Sequence, residues 1–140
     1  MKSILVFDPG ENTGWVFHDF KGTVTGGTSV RSHMGIAMLI YKYLPDVVVF
    51  ERFNLYPGKA ASLSWNTFYP CEVIGVIRYC CQAHNIPIVE QAPSDKRYAG
   101  NLDARWAQLK SECPNVTEHT KDAYIHLLFY LRKHGRESLK

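Results

Sequence analysis

The most regular feature of the chain is a pair of short apolar runs that each end in an acid. The first run covers residues 4–7 and meets Asp8, and the second covers residues 46–51, where Val and Phe precede Glu51. Continuous apolar runs of this length are typical of strands that are buried on both faces. The pattern therefore predicts two central strands, each with a carboxylate at its end.

Weaker patterns predict three more strands. Residues 14–17 and 23–28 follow the first run across tight polar turns, which is typical of an antiparallel meander. A fifth strand is expected at residues 86–90. The chain therefore contains enough strands for one sheet of five.

Apolar residues that recur every three or four positions predict several helices. The first helix follows a cap at Ser32 and is closed by Pro45. A longer helix is expected at residues 60–84, with a break or kink at Pro70. The other helical segments are residues 93–100, 103–112 and about 118–133, the last of them capped by Thr117.

The order of these elements predicts an α/β protein with a five-stranded mixed sheet flanked by helices. A strand reached through a crossover helix usually runs parallel to its neighbour, and a right-handed crossover places the fourth strand beside the first. Asp8 and Glu51 are then expected together at one edge of the sheet. Taken alone, Asp-Pro-Gly at residues 8–10 is equally consistent with a hairpin turn. A turn does not account for the second acid.

A histidine and an acid open the last predicted helix. His119 and Asp122 stand three residues apart, so they share one face of its first turn. Because a helix N-terminus favours negative charge, Asp122 can simply compensate the helix dipole, with His119 a partly exposed neighbour. Taken alone, the segment favours that interpretation; the alternative places both residues in the site of Asp8 and Glu51.

Length and composition restrict the class of protein without naming a partner. The 140 residues suit a single domain, residues 1–140, with enough chain for a core. A formal net charge of +3 permits a nucleic-acid partner but does not indicate one. No apolar stretch reaches the roughly 18 residues of a membrane span. With no signal peptide and no C-x-x-C pair among the four cysteines, we expect a cytoplasmic protein with reduced thiols and no membrane partner.

The motifs resemble those of the RuvC-type Holliday-junction resolvases, members of the ribonuclease H-like superfamily. That family opens with Asp-Pro-Gly at a strand end and then Thr-Gly before the second strand, as at residues 8–10 and 13–14 here. Its second acid ends the fourth strand, as Glu51 does, and its last acids lie three apart before an Ala, as at residues 119–123. The similarity also covers residues 86–93, and so spans nearly the whole chain.

Two departures from the family pattern are visible. His119 stands where the family often has an acid, although some members carry His, which affects the expected metal preference. The chain is also shorter than we would expect of a cellular resolvase, which points to a bacteriophage version.

The resemblance implies a metal-dependent, structure-selective endodeoxyribonuclease that resolves Holliday junctions and related branched DNA by paired phosphodiester hydrolysis. Two divalent ions, Mg²⁺ or Mn²⁺, suit this chemistry, since hard oxygen ligands favour them. On this hypothesis Asp8 bridges both ions, Glu51 holds the ion on the leaving-group side, and Asp122 holds the ion that activates water. His119 is a further ligand or orients that water.

A four-way junction has two-fold symmetry, so paired nicks imply a homodimer. The resemblance assigns part of the interface to the helix at residues 60–84, whose apolar residues are equally consistent with a core. Basic groups near an acidic site can hold phosphates, and aromatic rings can stack on opened bases. The predicted DNA contacts are Arg52, Phe53, Tyr56, Lys59, Lys96, Arg97 and Lys121.

Other classes of protein stay open at this stage. The same fold serves nucleases of RNA–DNA hybrids, flaps or forks, and non-catalytic modules that bind nucleic acid or protein. Shape recognition is distributed over a surface, so no compact motif separates these substrates. An actin-like ATPase or sugar kinase also begins with an Asp-x-Gly turn. That class needs two such domains around a nucleotide, so we expect no nucleotide cofactor in a chain of 140 residues.

Overall fold

The patterns in the sequence form five strands and four α-helices among the described residues. The structure, a computed structural model, describes residues 2–53, 68–98 and 102–138. The strands are β1 (Ile4–Asp8), β2 (Asn12–His18), β3 (Val24–Val30), β4 (Val47–Glu51) and β5 (Ile88–Gln91). The helices are α1 (His33–Tyr43), α2 (Tyr69–Ala83), α3 (Ala104–Glu112) and α4 (Glu118–Ser138), and a 3₁₀ segment spans Pro93–Tyr98.

The strands form one mixed sheet in the order β3-β2-β1-β4-β5. The pairs β1–β2 and β2–β3 are antiparallel, whereas β1–β4 and β4–β5 are parallel. The predicted meander, the parallel crossover and the fold class are therefore confirmed. Phe7 on β1 lies opposite Phe50 on β4, so the residues that follow them, Asp8 and Glu51, end neighbouring strands at the same edge.

Successive side chains on the central strands point to opposite faces of the sheet and pack into two hydrophobic layers. On β1, Ile4 and Val6 face the layer that holds α3 and α4, whereas Leu5 and Phe7 face the layer of α1 and α2. All four are almost fully buried, as expected for strands covered on both faces. No helix in the described ranges is long and apolar enough to cross a membrane.

Several boundaries differ from the sequence prediction, and three of the differences are the largest or have a visible cause. Pro70 lies in the first turn of α2, where its missing N–H costs no helical hydrogen bond; residues 60–67 of the predicted helix lie outside the described residues. The fifth strand begins at Ile88, after Pro87. Helix α4 continues beyond its predicted end at about residue 133 to Ser138.

A buried histidine far from the acidic edge gives the fold a pH-dependent weak point. His18, on β2, is 1% exposed, and its Nδ1 has no hydrogen-bond partner within the described part of the chain. Burial and the nearby charge of Arg105 lower the pKa of His18 below its ordinary value of 6.5. His18 therefore binds a proton more readily in the unfolded chain than in the folded state. As a result, stability falls as the pH drops below about 6.5.

We expect His18→Phe to lose less stability than the wild type between pH 7.5 and pH 5, because the substituted ring takes up no proton. Urea unfolding at the two pH values measures this difference. Equal losses for the two proteins would contradict a role for His18 in the acid sensitivity.

Candidate active site

The turn after β1 is closed by a threonine. Thr13 is buried, accepts a hydrogen bond from the Gly10 N–H at 3.2 Å and donates its hydroxyl to the Gly10 carbonyl at 2.8 Å. The Asp-Pro-Gly segment is thus a turn between antiparallel strands, as the simpler interpretation held. It also fixes the direction in which the chain leaves Asp8. The two interpretations of this segment are compatible.

The first turn of α4 is held against β2 and β3 by hydroxyl groups and glycines. Thr117 accepts a hydrogen bond from the His119 N–H at 3.2 Å, as expected of the predicted cap. The buried Thr120 accepts from the Thr117 N–H at 3.0 Å and donates to the Gly27 carbonyl at 2.8 Å. A Cβ built on Gly14 would lie 1.9 Å from the His119 carbonyl oxygen, so the helix backbone rests directly on that glycine.

These contacts with β2 and β3 bring the start of α4 to the sheet edge that carries Asp8 and Glu51. The His119 Nδ1 lies 4.0 Å from the Asp8 Oδ2. Asp122 follows one turn later on the same face of the helix. The side chains of Asp8 and Glu51 are 16% and 15% exposed, whereas that of Asp122 is 37% exposed. This group of side chains, called the cleft below, is therefore most open to solvent at Asp122.

A lysine lies among these carboxylates. The Lys96 Nζ is 3.3 Å from the Glu51 Oε2 and 3.8 Å from the Asp122 Oδ2. Lys96 comes from the 3₁₀ segment that follows β5, next to β4 in the sheet. The predicted site residues on β1, β4 and α4 are therefore brought together, and Lys96 belongs to the same cluster.

The cluster holds an excess of negative charge. Burial, followed by the negative charges of Glu51 and Asp122, raises the pKa of Asp8 to about 7, although Lys96 acts in the opposite direction. Burial would also raise the pKa of Glu51, but contacts with His126 and Lys96 outweigh it and hold that pKa below its ordinary value. Burial lowers the pKa of Lys96, and the three surrounding carboxylates raise it by more.

These donors fit a hard divalent cation by their chemistry. Three carboxylates and one ammonium leave a net charge of −2 when Asp8 is ionised, and carboxylate oxygens are the ligands that Mg²⁺ and Mn²⁺ prefer. Among the described residues, no group of three or more His, Cys, Asp and Glu side chains is already spaced to hold a metal ion. The Lys96 ammonium instead lies within ion-pair distance of two of the acids.

Two residues of this region were missed by the sequence analysis. His126 is fully buried on α4, and its Nε2 lies 2.8 Å from the Glu51 Oε2. Gln91, at the end of β5, contacts the other ring nitrogen, Nδ1, at 2.9 Å. The spacing of four between Asp122 and His126 places both on one face of a helix, but this spacing alone does not distinguish a site residue from a core residue.

The predicted DNA contacts that the structure describes adjoin the acidic cluster in sequence. Arg52 and Phe53 directly follow Glu51 and are exposed. Arg97 is exposed beside Lys96, and Lys121 pairs with Glu118 at 4.0 Å. Tyr56 and Lys59 lie outside the described residues.

The sequence matches no known protein-family profile and no curated protein. Solved structures share its fold. RuvC of T. thermophilus in complex with a Holliday junction substrate superposes with a TM-score of 0.67 at 14% identity, over 95% of this chain and 96% of that one. A second structure of Thermus thermophilus RuvC gives a TM-score of 0.57 at 16% identity, over 94% and 96% of the two chains.

The yeast mitochondrial Holliday junction resolvase Ydc2 also matches, with a TM-score of 0.57 at 13% identity over 92% of this chain and 77% of that one. At such identities the likeness establishes the fold. The chain therefore has the ribonuclease H-like fold of the RuvC-type resolvases, as the motif resemblance implied.

Proposed function

We propose that this protein is a metal-dependent, structure-selective endodeoxyribonuclease that resolves Holliday junctions and related branched DNA. The observation that carries the proposal is the convergence of Asp8, Glu51 and Asp122 at one sheet edge. The shared fold supports it, because two kinds of Holliday junction resolvase, bacterial and mitochondrial, have that fold.

Asp8, Glu51 and Asp122 would hold the cations, with Asp8 in the central position because it senses the charge of both other acids. When bound, two Mg²⁺ or Mn²⁺ ions would supply the positive charge that phosphodiester hydrolysis needs at the scissile phosphate. His119, whose Nδ1 lies 4.0 Å from the Asp8 Oδ2, would orient the attacking water or act as a further ligand. Lys96 can move from the carboxylates to a phosphate oxygen as the cleft fills with cations and DNA.

The DNA would lie along the open side of the cleft. Arg52, Arg97 and Lys121 would hold phosphates on either side of the acids, and Phe53 would stack on a base opened at the crossover. Tyr56 and Lys59 stay predicted DNA contacts. The cytoplasmic location and the bacteriophage origin also stay predictions.

The proposed homodimer has a candidate surface on the outer face of α1 and α2. The inner face of α2 packs Val73 and Ile77 into the core, so the core interpretation of this helix holds for that face. The outer faces expose large apolar side chains, which is unusual for a free surface. They are Met34 (71% exposed), Met38 (62%), Tyr41 (44%) and Tyr79 (72%).

We expect the wild type to be a dimer in solution and Tyr79→Glu to be a monomer, since a buried carboxylate at the centre of an apolar interface has no partner. Sedimentation equilibrium measures both. Phe20→Glu is the matched control, because Phe20 is 64% exposed on the turn between β2 and β3 and its change should leave the dimer intact. A wild type that is monomeric at micromolar concentration would contradict the dimer.

Purified protein incubated with labelled four-way junction, Y-fork, flap, duplex and RNA–DNA hybrid, each with Mg²⁺ or Mn²⁺, tests the function. We expect symmetric nicks confined to branched DNA. Cleavage of RNA–DNA hybrids in preference to junctions would assign the alternative substrate. Tight binding without cleavage of any substrate would make the protein a non-catalytic module.

A further inference from the structure

We propose that Gln91 and His126 form a hydrogen-bonded relay that positions Glu51 for cation binding. The inference rests on the proposed nuclease function, because it assigns the relay to the cation site of that function. Its carrying observation is a chain of buried contacts that begins at Gln91 on β5 and ends at the Glu51 carboxylate on β4.

The relay is buried and its contacts are short. The side chain of His126 is fully buried, and Gln91 is 4% exposed. The His126 Nε2 lies 2.8 Å from the Glu51 Oε2. The Gln91 Nε2 lies 2.9 Å from the His126 Nδ1 and 3.0 Å from the His126 carbonyl oxygen.

The chemistry of these atoms fixes the direction of every hydrogen bond. A backbone carbonyl only accepts, so the atom of Gln91 that faces it must be the amide nitrogen. The same nitrogen then donates to the His126 Nδ1, which must be without a proton. Because the Glu51 carboxylate also accepts, the His126 Nε2 carries the proton and donates to it. Gln91 thereby selects one neutral tautomer of the imidazole.

The relay engages one oxygen of the Glu51 carboxylate and leaves the other for cation binding. His126 and Lys96 both contact Oε2, at 2.8 and 3.3 Å. Oε1 is then the oxygen through which Glu51 can bind a cation. Ligand carboxylates in metal sites are generally fixed by such hydrogen bonds from neighbouring groups.

The relay also joins the elements that carry the acids. Gln91 lies opposite Glu51 in the parallel pair β4–β5, and its carbonyl accepts the Arg52 N–H at 2.9 Å. His126 lies one turn beyond Asp122 on α4. A displacement of α4 from the sheet would therefore break the contact to Glu51 and move Asp122 at the same time.

If Gln91 and His126 only satisfied each other's hydrogen bonds, their replacement would change stability and leave cation affinity unchanged. The test must therefore measure cation binding directly. We would measure Mn²⁺ affinity by isothermal titration calorimetry for the wild type, His126→Gln, Gln91→Met and His126→Phe. His18→Phe is the matched control, because it makes the same change at another buried histidine outside the cleft.

We expect His126→Phe to bind Mn²⁺ about 10- to 100-fold more weakly than the wild type, the range typical for loss of such a supporting group. His126→Gln, which keeps an N–H donor, should recover most of the affinity, and Gln91→Met should fall between. His18→Phe should bind Mn²⁺ as the wild type does. A long-range ¹H–¹⁵N spectrum of the wild type, assigned by the signal lost in His126→Gln, should show a protonated Nε2 and a bare Nδ1.

If the wild type binds Mn²⁺ and folded His126→Phe binds it with the same affinity, the relay is overturned and the proposed function stays in place. Absence of Mn²⁺ binding by the wild type would instead remove the cation site, and the relay's role with it. If His126→Phe does not fold, Gln91→Met and the spectrum decide: a protonated Nδ1 in the wild type overturns the relay.

Discussion

Replacing Asp8 by Asn is expected to abolish cleavage of four-way junctions while leaving junction binding intact or tighter. Asp8 lies at the end of β1 between the charges of Glu51 and Asp122, so its loss removes the central cation ligand. The amide keeps the shape of the side chain and no longer repels phosphate. Single-turnover cleavage and gel-shift titration with the same labelled junction measure the two effects.

The same substitution is expected to stabilise the protein when metal is chelated. Because the pKa of Asp8 is raised to about 7, the folded state holds a proton that the unfolded state releases near pH 3.8. The stability due to this group is complete below the unfolded value and is lost as the pH rises through about 7. At pH 8 in EDTA, Asp8→Asn should therefore be more stable, by on the order of 1–4 kcal/mol.

The matched control for Asp8 is Glu112→Gln, which neutralises an exposed carboxylate at the end of α3. It should change neither cleavage nor the melting temperature. Added Mg²⁺ should stabilise the wild type and leave Asp8→Asn unaffected, since a ligand stabilises only a state that binds it. Wild-type cleavage by purified Asp8→Asn would show that the site is misassigned.

Gly14→Ala is expected to have the largest effect on stability, a loss of about 3 kcal/mol or more in the free energy of unfolding. The new Cβ would lie 1.9 Å from the His119 carbonyl oxygen and 2.4 Å from the Thr120 nitrogen, and both are backbone atoms that no side-chain rotation can move. Helix α4 would have to lift away from β2. Thermal and urea unfolding measure the loss.

The control is Gly75→Ala, on the outer face of α2, where an added Cβ meets nothing within 4 Å. Both glycine variants are compared in the Tyr79→Glu background, so that the proposed dimer does not contribute to the free energy of unfolding. Alanine favours a helix over glycine by up to about 1 kcal/mol, so this variant should be equally or more stable than the wild type. Gly14 also lies opposite Asp8 in the β1–β2 pair, so lifting α4 would separate His119 and Asp122 from Asp8. A Gly14→Ala protein with wild-type stability would contradict the close packing of the α4 backbone against Gly14.

The architecture was predictable because its strongest signals are local. The runs that end at Asp8 and Glu51 identify central strands by composition alone, and the crossover rule then makes them parallel neighbours. The period of the last helix and its Thr117 cap placed His119 and Asp122 on one face of its first turn. No long-range information was needed for these conclusions.

The supporting residues were not predictable, because their roles depend on contacts between distant segments. In a helix rich in Leu, Tyr and Phe, His126 resembles an ordinary core residue until Glu51 and Gln91 are seen beside it. Lys96 was expected on the DNA surface because it follows β5, yet its ammonium pairs with two of the acids. The role of Gly14 depends on a helix that begins about 100 residues later.

Asp8, Glu51 and Asp122 are proposed to bind divalent cations together, with Asp8 in contact with both ions. Crystals of the wild type grown with MnCl₂ test this claim most directly, because manganese gives an anomalous signal at its own position. We expect a peak in the cleft within about 2.0–2.5 Å of oxygens from Asp8 and at least one of the other two acids, with the Lys96 ammonium displaced. A cleft without an anomalous peak, in which Lys96 still pairs with Glu51 and Asp122, would contradict the claim.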